Sequence, residues 1–447
     1  MYHGAGLSSS GAADGHALWQ PGSNPRRKWR RDPLAELFTD PVMHKLIASA
    51  LANNRDLRVA ALNVEVARSQ VQIDRAALLP SIDLDAEGSG THLPGGLYST
   101  QSSGPVTYHQ MSTSLGVTAW ELDFFGRLRS LRDQGLEQYL ATAATQRATQ
   151  ISLIAEVASS YLSLCSDNEL LALAQETAKS QQDSYDLTKR SYDGGVASEQ
   201  DLVQAETSVR TAQADIASYS RQVRQDVNAL ALLVGSDLPP DLLAGARLQK
   251  AWHFPATPAG LPSDLLTHRP DIIAAEHTLK AANANIGAGG VLPSISLTAS
   301  GGSTSATFSH LLSGGTAAWS FGPSISLPIF DGGVNSANLD IAKLLKRIEI
   351  ADYEKTIQTA FKEVGDALAG QETYQDELKA RQLDEAANQR NFRFATVRYR
   401  EGVDNYLNVL VAQRSLYASQ QSLIATRLGQ LNQQITLYKA LGGGWRS

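Results

Sequence analysis

The chain carries nearly the same phrase twice. From residue 192 it reads YDGGVASEQDLVQAE and runs into a long Ala- and Gln-rich helical pattern; from residue 399 it reads YREGVDNYLNVLVAQ and does the same. Upstream, LPSIDLDAEGSG at 79–90 returns as LPSISLTASGG at 292–302. A repeating unit of roughly 200 residues is far longer than the 20–50 of a solenoid. It implies a duplicated half-protein with the order helix, strand, strand, long helix, turn, long helix. A chain of 447 residues would otherwise suggest several domains; duplication argues for one intertwined unit of two halves.

Within each half the hydrophobic period changes abruptly. Residues 41–77 keep helical spacing through Leu46, Ile47, Ala50, Leu51, Leu57, Ala60, Ala61 and Val64. After Pro80 the period becomes two: Ile82, Leu84 and Ala86 alternate with Ser81, Asp83, Asp85 and Glu87. A Gly/Ser/Pro/Thr-rich stretch at 88–107 reads as a loop, and alternation resumes through Met111, Thr113, Leu115, Val117 and Ala119. The second half repeats this with Ile295, Leu297 and Ala299, a Gly/Ser loop at 301–316, then Trp319, Phe321, Ile325 and Leu327. The expected strands are about 81–91, 108–122, 294–301 and 317–329. Their length and their apolar/small-polar alternation fit transmembrane β-strands. A soluble sandwich would need more strands than these four.

Long helices are expected at about 127–191, 198–234, 332–398 and 404–441, after shorter helices that open each half. At 1.5 Å per residue the longest would be rods of roughly 95 Å. Ala/Leu/Val seams with Gln, Asp, Lys and Arg outside suit close antiparallel packing in a coiled-coil-like wall. Ser198 with Asp201 makes a capping-box pattern, and Asp404 is the expected cap of the last helix. The resulting division is an atypical, disordered N-terminal segment 1–31, a first repeat 32–234, a Pro/Gly/Leu-rich equatorial linker 235–262, a second repeat 263–441 and a tail 442–447.

Composition narrows function by exclusion. A net charge of −6 argues against a polyanion binder, and the basic run RRKWRR at 26–31 reads as a solvated turn rather than a nucleic-acid patch. Cys165 is the only cysteine, so there is neither a disulfide framework nor a thiol metal site; on its helical pattern it reads as a buried thiol. The nine histidines are scattered, with no H-E-x-x-H. GAGG at 287–290 lacks the G-x-G-x-x-G form and reads as a bend before Pro293. No catalytic residue, metal site or cofactor is assigned. No run of about 18 apolar residues marks a transmembrane helix.

Four strands cannot close a barrel, and an open edge in lipid leaves backbone groups unpaired. Symmetric assembly supplies the missing strands: three copies give a twelve-stranded barrel and set their long helices side by side as a second, helical barrel. The motifs then carry a resemblance. RPDI at 269–272, the two LPSI strands, WELDFFGR at 120–127, WSFGPSISLPIFDGG at 319–333 and YREGVDNYLNVLVAQRSLY at 399–417 resemble the TolC superfamily, nearest to its OprM/NodT-type branch of outer-membrane efflux subunits. The resemblance covers about residues 32–445.

The resemblance implies an α+β membrane protein: a homotrimeric tunnel with an outer-membrane β-barrel continuing into a periplasmic α-helical barrel. It implies a passive exit duct for small molecules, coupled to a periplasmic adaptor and an inner-membrane pump, with outer-membrane lipid around it. A type I protein-secretion duct is the alternative within the superfamily; a soluble coiled-coil protein is the alternative outside it. The adaptor-contact tips match Gly194, Gly195, Val196, Ala197 and Ser198, and Gly402, Val403, Asp404 and Asn405. The periplasmic gate matches Leu407, Asn408, Val411 and Arg414, with Gln200 and Gln204 in the first half. Where the family pattern often has acids, this chain has Asn408 and Val411. Trp120, Trp319 and Phe321 are candidates for the aromatic girdle at the bilayer interface, Trp120 equally for packing at the barrel-to-helix junction. Many relatives of this branch carry a signal peptide and a lipid-bearing cysteine near the mature N-terminus. Residues 1–25 show neither, so export and acylation are not argued from this sequence.

Overall fold

The computed structural model describes residues 40–95, 104–243, 245–248, 268–289 and 292–443. The expected N-terminal segment 1–31, most of the linker after residue 248 and residues 444–447 lie outside them. The elements are α1 (Pro41–Asn53), α2 (Arg55–Ala76), β1 (Asp83–Leu93), β2 (Val106–Glu121), α3 (Arg127–Asp193), α4 (Glu199–Val234), a single turn α5 (Pro240–Leu243), α6 (Pro270–Ala288), β3 (Ser294–Ser305), β4 (Ala317–Ser326), α7 (Val334–Arg400) and α8 (Tyr406–Ala440).

Two sequence expectations need correction. Residues 41–77 are two helices, not one. Asn54 is extended (φ −59°, ψ 133°); its Oδ1 accepts from Leu57 N at 2.8 Å and its Nδ2 donates to Leu233 O at 2.9 Å. A buried cap tied to α4 thus interrupts a pattern whose apolar spacing continues across it. The strands also run differently from the alternation. β1 and β3 reach Leu93 and Ser305, into segments read as loops, while β4 stops at Ser326 rather than 329. Sheet hydrogen bonds are made by the backbone, so Gly and Ser can extend a strand that their side chains do not announce.

The four strands form one antiparallel sheet in the order β1-β2-β3-β4. Cross-strand register sorts its faces. Leu84, Leu115, Gly301 and Trp319 share one row, and Val117, Ala299 and Phe321 the next on the same face. The opposite face carries Asp83, Gly116, Ser300 and Ser320 in one row and Asp85, Ser114, Gly302 and Ala318 in another. Apolar and polar side chains are therefore segregated through the full width of the sheet. On the polar face a Cβ at Gly302 would stand 2.0 Å from Thr113 O, so β2 and β3 approach there as only glycine allows.

The largest apolar core lies partway along the rods. Met43, Leu46 and Ile47 of α1 meet Ile154, Val157, Tyr161, Leu162 and Cys165 of α3, Leu230 and Val234 of α4, and Ile435 and Tyr438 of α8. Cys165 is fully buried. By contrast the 67 residues of α7 bury only Ala342, Ala360, Ala367 and Ala395, alanines that let α6 and α8 approach closely while much of the helix stays uncovered.

A single guanidinium joins the start of α6 to both last helices. Arg269, 6% exposed, donates from Nη1 to Ala440 O at 2.9 Å, from Nη2 to Glu363 at 2.8 Å, and from Nε and Nη2 to Asp271 at 3.0 and 2.6 Å. Arg269→Ala strands the Ala440 carbonyl and two carboxylates. The carboxylates are partly solvated, so we expect a loss of about 2–3 kcal/mol, less than for a sealed pair. Thermal unfolding followed by circular dichroism checks this; Arg269→Lys should recover only part, since an ammonium cannot make the fork.

Candidate functional site

Both long hairpins turn at the end of the rods remote from the sheet. α3 closes through Gly195 (φ +74°), with Gly195 N donating to Tyr192 O at 2.8 Å and Val196 N to Ser191 O at 2.8 Å. α7 closes the same way through Gly402 (φ +72°), with Gly402 N to Tyr399 O at 3.0 Å and Val403 N to Arg398 O at 2.9 Å. These are glycine-dependent C-caps of the Schellman type. The two turns are held together by a small core in which Ala205, Ala395, Tyr406, Val409 and Leu410 pack with Tyr185, Phe392 and Tyr399. Val196 and Val403 project beyond them, 87% and 61% exposed.

The caps differ. Ser198 forms the full capping box: its Oγ accepts from Asp201 N at 3.2 Å, and Asp201 Oδ2 accepts from Ser198 N at 3.3 Å. At the second turn the cap is not Asp404. Asn405, extended at φ −81° and ψ 161°, accepts from Asn408 N at 3.3 Å. Asp404 lies one residue too early for that geometry and instead pairs with Arg398 Nε at 2.5 Å and Nη2 at 3.3 Å. The guanidinium holds the Asp404 carboxyl below the usual carboxylate range.

The gate candidates fall on one side of α8. Leu407, Asn408, Val411 and Arg414 are exposed, while Tyr406, Val409, Leu410, Ala412 and Gln413 are buried. No carboxylate lies among those four exposed positions. In the first half Gln200 is exposed and Gln204 half-buried. Of the girdle candidates, Trp319 and Phe321 are 82% and 63% exposed on the apolar sheet face. Trp120 sits beside the β-bulge between Val117 and Trp120, half-buried, its indole N–H sealed without an acceptor.

Sequence reasoning missed a polar seam between helices. Gln413 Nε2 donates to Ser180 at 3.2 Å, Tyr417 O–H to Asp215 at 3.1 Å and Gln421 Nε2 to Tyr219 O–H at 2.9 Å, tying α8 to α3 and α4. Farther along, Asp167 of α3 faces Asp226 of α4, whose Oδ2 is sealed from solvent. Burial, with the Asp226 carboxylate beside it, pushes Asp167 up to about 7. Two carboxylates in such a pair share one proton. No sequence signal marks these pairs, because each depends on the register between antiparallel helices.

Among the described residues no group of three or more His, Cys, Asp or Glu could hold a metal ion, and no helix is long and apolar enough to cross a membrane. The profile of the family described as "Outer membrane efflux protein" matches residues 46–236 and 261–443. The chain belongs to that family.

Two proteins of Pseudomonas putida, the "Toluene efflux pump outer membrane protein TtgC" and the "Antibiotic efflux pump outer membrane protein ArpC", are each 49% identical over 412 residues, which is 92% of this chain and 84% of theirs. The open-state structure of the Neisseria gonorrhoeae MtrE outer membrane channel superposes with a TM-score of 0.82 at 39% identity, covering 92% of this chain and 91% of that one. The protein is an outer-membrane efflux channel protein whose helical part lies in the periplasm.

The Asp167–Asp226 pair makes stability depend on pH. Asp167 holds its proton more tightly folded than unfolded, so native stability falls as pH rises from about 4 to about 7. Asp167→Asn removes the ionisation. It should leave the unfolding midpoint nearly unchanged at pH 4 and raise it at pH 8, by on the order of 1–2 kcal/mol once partial solvation is allowed for. Thermal unfolding at the two pH values measures this.

Proposed function

We propose that three copies of this chain assemble into one continuous duct, a twelve-stranded barrel in the outer membrane joined to a periplasmic barrel of helices. The observation that carries this is the pair of open edges of the sheet. β1 and β4 are its outer strands and run in opposite directions, so β4 of one copy can pair antiparallel with β1 of the next. In hydrocarbon an edge left open costs several kcal/mol per unpaired group, and closure by neighbours removes both edges at once.

The helices support the same assembly. Near the sheet α2 packs on α3, α3 on α6 and α6 on α7, leaving α2 and α7 at the flanks. Each flank exposes an apolar stripe at helical spacing: Val59, Leu62, Val66 and Ile73 on α2; Ile341, Leu344, Leu345 and Ile348 on α7. The two stripes cover each other when the sheet edges pair.

Such a duct is passive. It takes small molecules such as drugs, toxic compounds or metal ions from an inner-membrane pump through a periplasmic adaptor, which seats on the six tips that three chains present around Val196 and Val403. The pump chooses the substrate. The names of TtgC and ArpC mention toluene and antibiotics at equal identity to this chain, which supports a conduit not shaped around one ligand. Two near-copied halves fused in one chain give the helical wall its repeated build. Leu407, Asn408, Val411 and Arg414 face the tunnel near its closed end as the gate, with Gln200 and Gln204 beside them.

The unmodified protein should run as a heat-sensitive trimer in mild detergent, and Ile348→Asp, at a position 53% exposed in the single chain, should convert it to monomer with its helical signal kept. A monomer for the unmodified protein would sink the reading. In planar bilayers divalent cations should block the channel weakly, because no carboxylate ring faces them. Val411→Asp should introduce block at roughly tenfold lower cation concentration or better; strong block of the unmodified channel would refute the uncharged gate. Loss of drug or dye export on gene deletion, with protein secretion intact, separates efflux from secretion.

A further inference from the structure

We propose that the β3–β4 connection folds outward over the lipid-facing side of the barrel and seats in the outer leaflet as an anchor, rather than capping the pore mouth. The proposal rests on the outer-membrane barrel reading. It starts from the face on which the connection is clasped. Ser303 pairs with Thr113 on one side and Ala317 on the other, and Thr113 pairs with Ala86. Two residues along, the same face carries Leu84, Leu115 and Trp319. The Ser303 side chain therefore lies on the apolar face, opposite Asp83 and Asp85.

That side chain holds the connection. Ser303 Oγ bonds the Leu311 carbonyl, Thr316 Oγ1 at 2.6 Å and Thr316 O at 3.2 Å. Leu311 is thereby drawn back over the apolar face. Among the described residues, no side chain of the polar face, which would border the pore, makes such a clasp.

The chemistry of the segment is amphipathic and fits the border between lipid headgroups and acyl chains. From Ser305 to Thr316 it holds no Asp, Glu, Lys or Arg, yet it contains Phe308, Leu311 and Leu312. Phe308 and Leu312 are 79% and 87% exposed. Lipid-exposed irregular backbone does not occur in the hydrocarbon core, so the segment can seat only at the headgroup border, with its polar groups satisfied locally. Here a short turn at Phe308–His310 closes with Leu311 N to Phe308 O at 3.2 Å and Ser313 N to His310 O at 3.1 Å. Ser313 Oγ donates to His310 O at 2.7 Å, Thr316 Oγ1 to Ser313 O at 2.8 Å, and Thr304 N to Thr316 O at 2.9 Å. The occupant of this surface is the acyl-chain border of the outer leaflet, continuous with the lipid around Leu115 and Trp319.

The test uses the full-length trimer in phospholipid vesicles, with an environment-sensitive dye on Leu312→Cys, on Phe308→Cys, or on Trp319→Cys as a barrel-wall reference. Cys165 is buried, so labelling of the unmodified protein sets the background. Quenching by a nitroxide-bearing phospholipid is compared with quenching by aqueous iodide. The proposal expects dyes at 308 and 312 to be lipid-quenched to nearly the extent of the dye at 319, with blue-shifted emission and iodide access several-fold below that of free dye. Ser303→Ala should open the clasp and raise iodide quenching at 312 several-fold, while 319 is unchanged. Iodide-accessible dyes at 308 and 312 beside a lipid-quenched 319 overturn the anchor and leave the barrel standing. Iodide access at all three sites overturns the barrel reading and the anchor with it. An unchanged dye at 312 in Ser303→Ala overturns the clasp.

Discussion

A four-stranded sheet with two unpaired edges and one apolar face has nowhere to rest alone. In water the face is uncovered; in lipid the edges are. Both demands are met only when β1 and β4 find strands of another copy and the apolar face meets hydrocarbon. Everything below the sheet follows from that. In the proposed ring of shared strands, the helices that continue from them would also stand in a ring, because α3 leaves β2 after only a few residues and α7 leaves β4 after a short link. The apolar stripes on α2 and α7 lie at the flanks of the single chain, the flanks that the proposed ring would bring together.

The rods divide their packing to suit this arrangement. The single chain invests its large side chains in one zone, where α1, α3, α4 and α8 meet around Leu162 and Ile435. Elsewhere it uses alanine. An alanine seam along α7 contributes little burial but permits close antiparallel contact, and it leaves much of the remaining helix surface exposed. Arg269 locks the start of the second half onto the middle of α7 and the end of α8, so the zone of strong packing coincides with the joint between the halves.

Much of this was legible from period alone. A switch from 3.6 to 2 and back marks each hairpin, and the absence of proline marks the rods. What was hidden has physical reasons. The break at Asn54 is made by one side chain capping a helix while binding Leu233, a contact 179 residues away. The strand ends at Leu93 and Ser305 are carried by backbone pairing through Gly and Ser. Asp404 looked like the cap because acids are good caps, but Arg398 claims it and Asn405 has the required backbone. The seam from Gln413 to Gln421 and the Asp167–Asp226 pair arise from helix register, which no local pattern encodes.

The two tips show how duplication and divergence combine. Both close with a glycine at positive φ and a valine beyond it, so the backbone of the first copy survives in the second. Their caps have separated: a self-contained capping box at Ser198, against an Asn405 cap with a neighbouring Arg398–Asp404 pair. The face that follows in α8 then presents Leu407, Asn408, Val411 and Arg414. In the proposed trimer, three copies of that face would bring like charges together only at Arg414, while Leu407 and Val411 would pack against their equivalents. Closure built this way would rest on apolar contact and on the polar seam behind α8, and would need no bound cation to neutralise it.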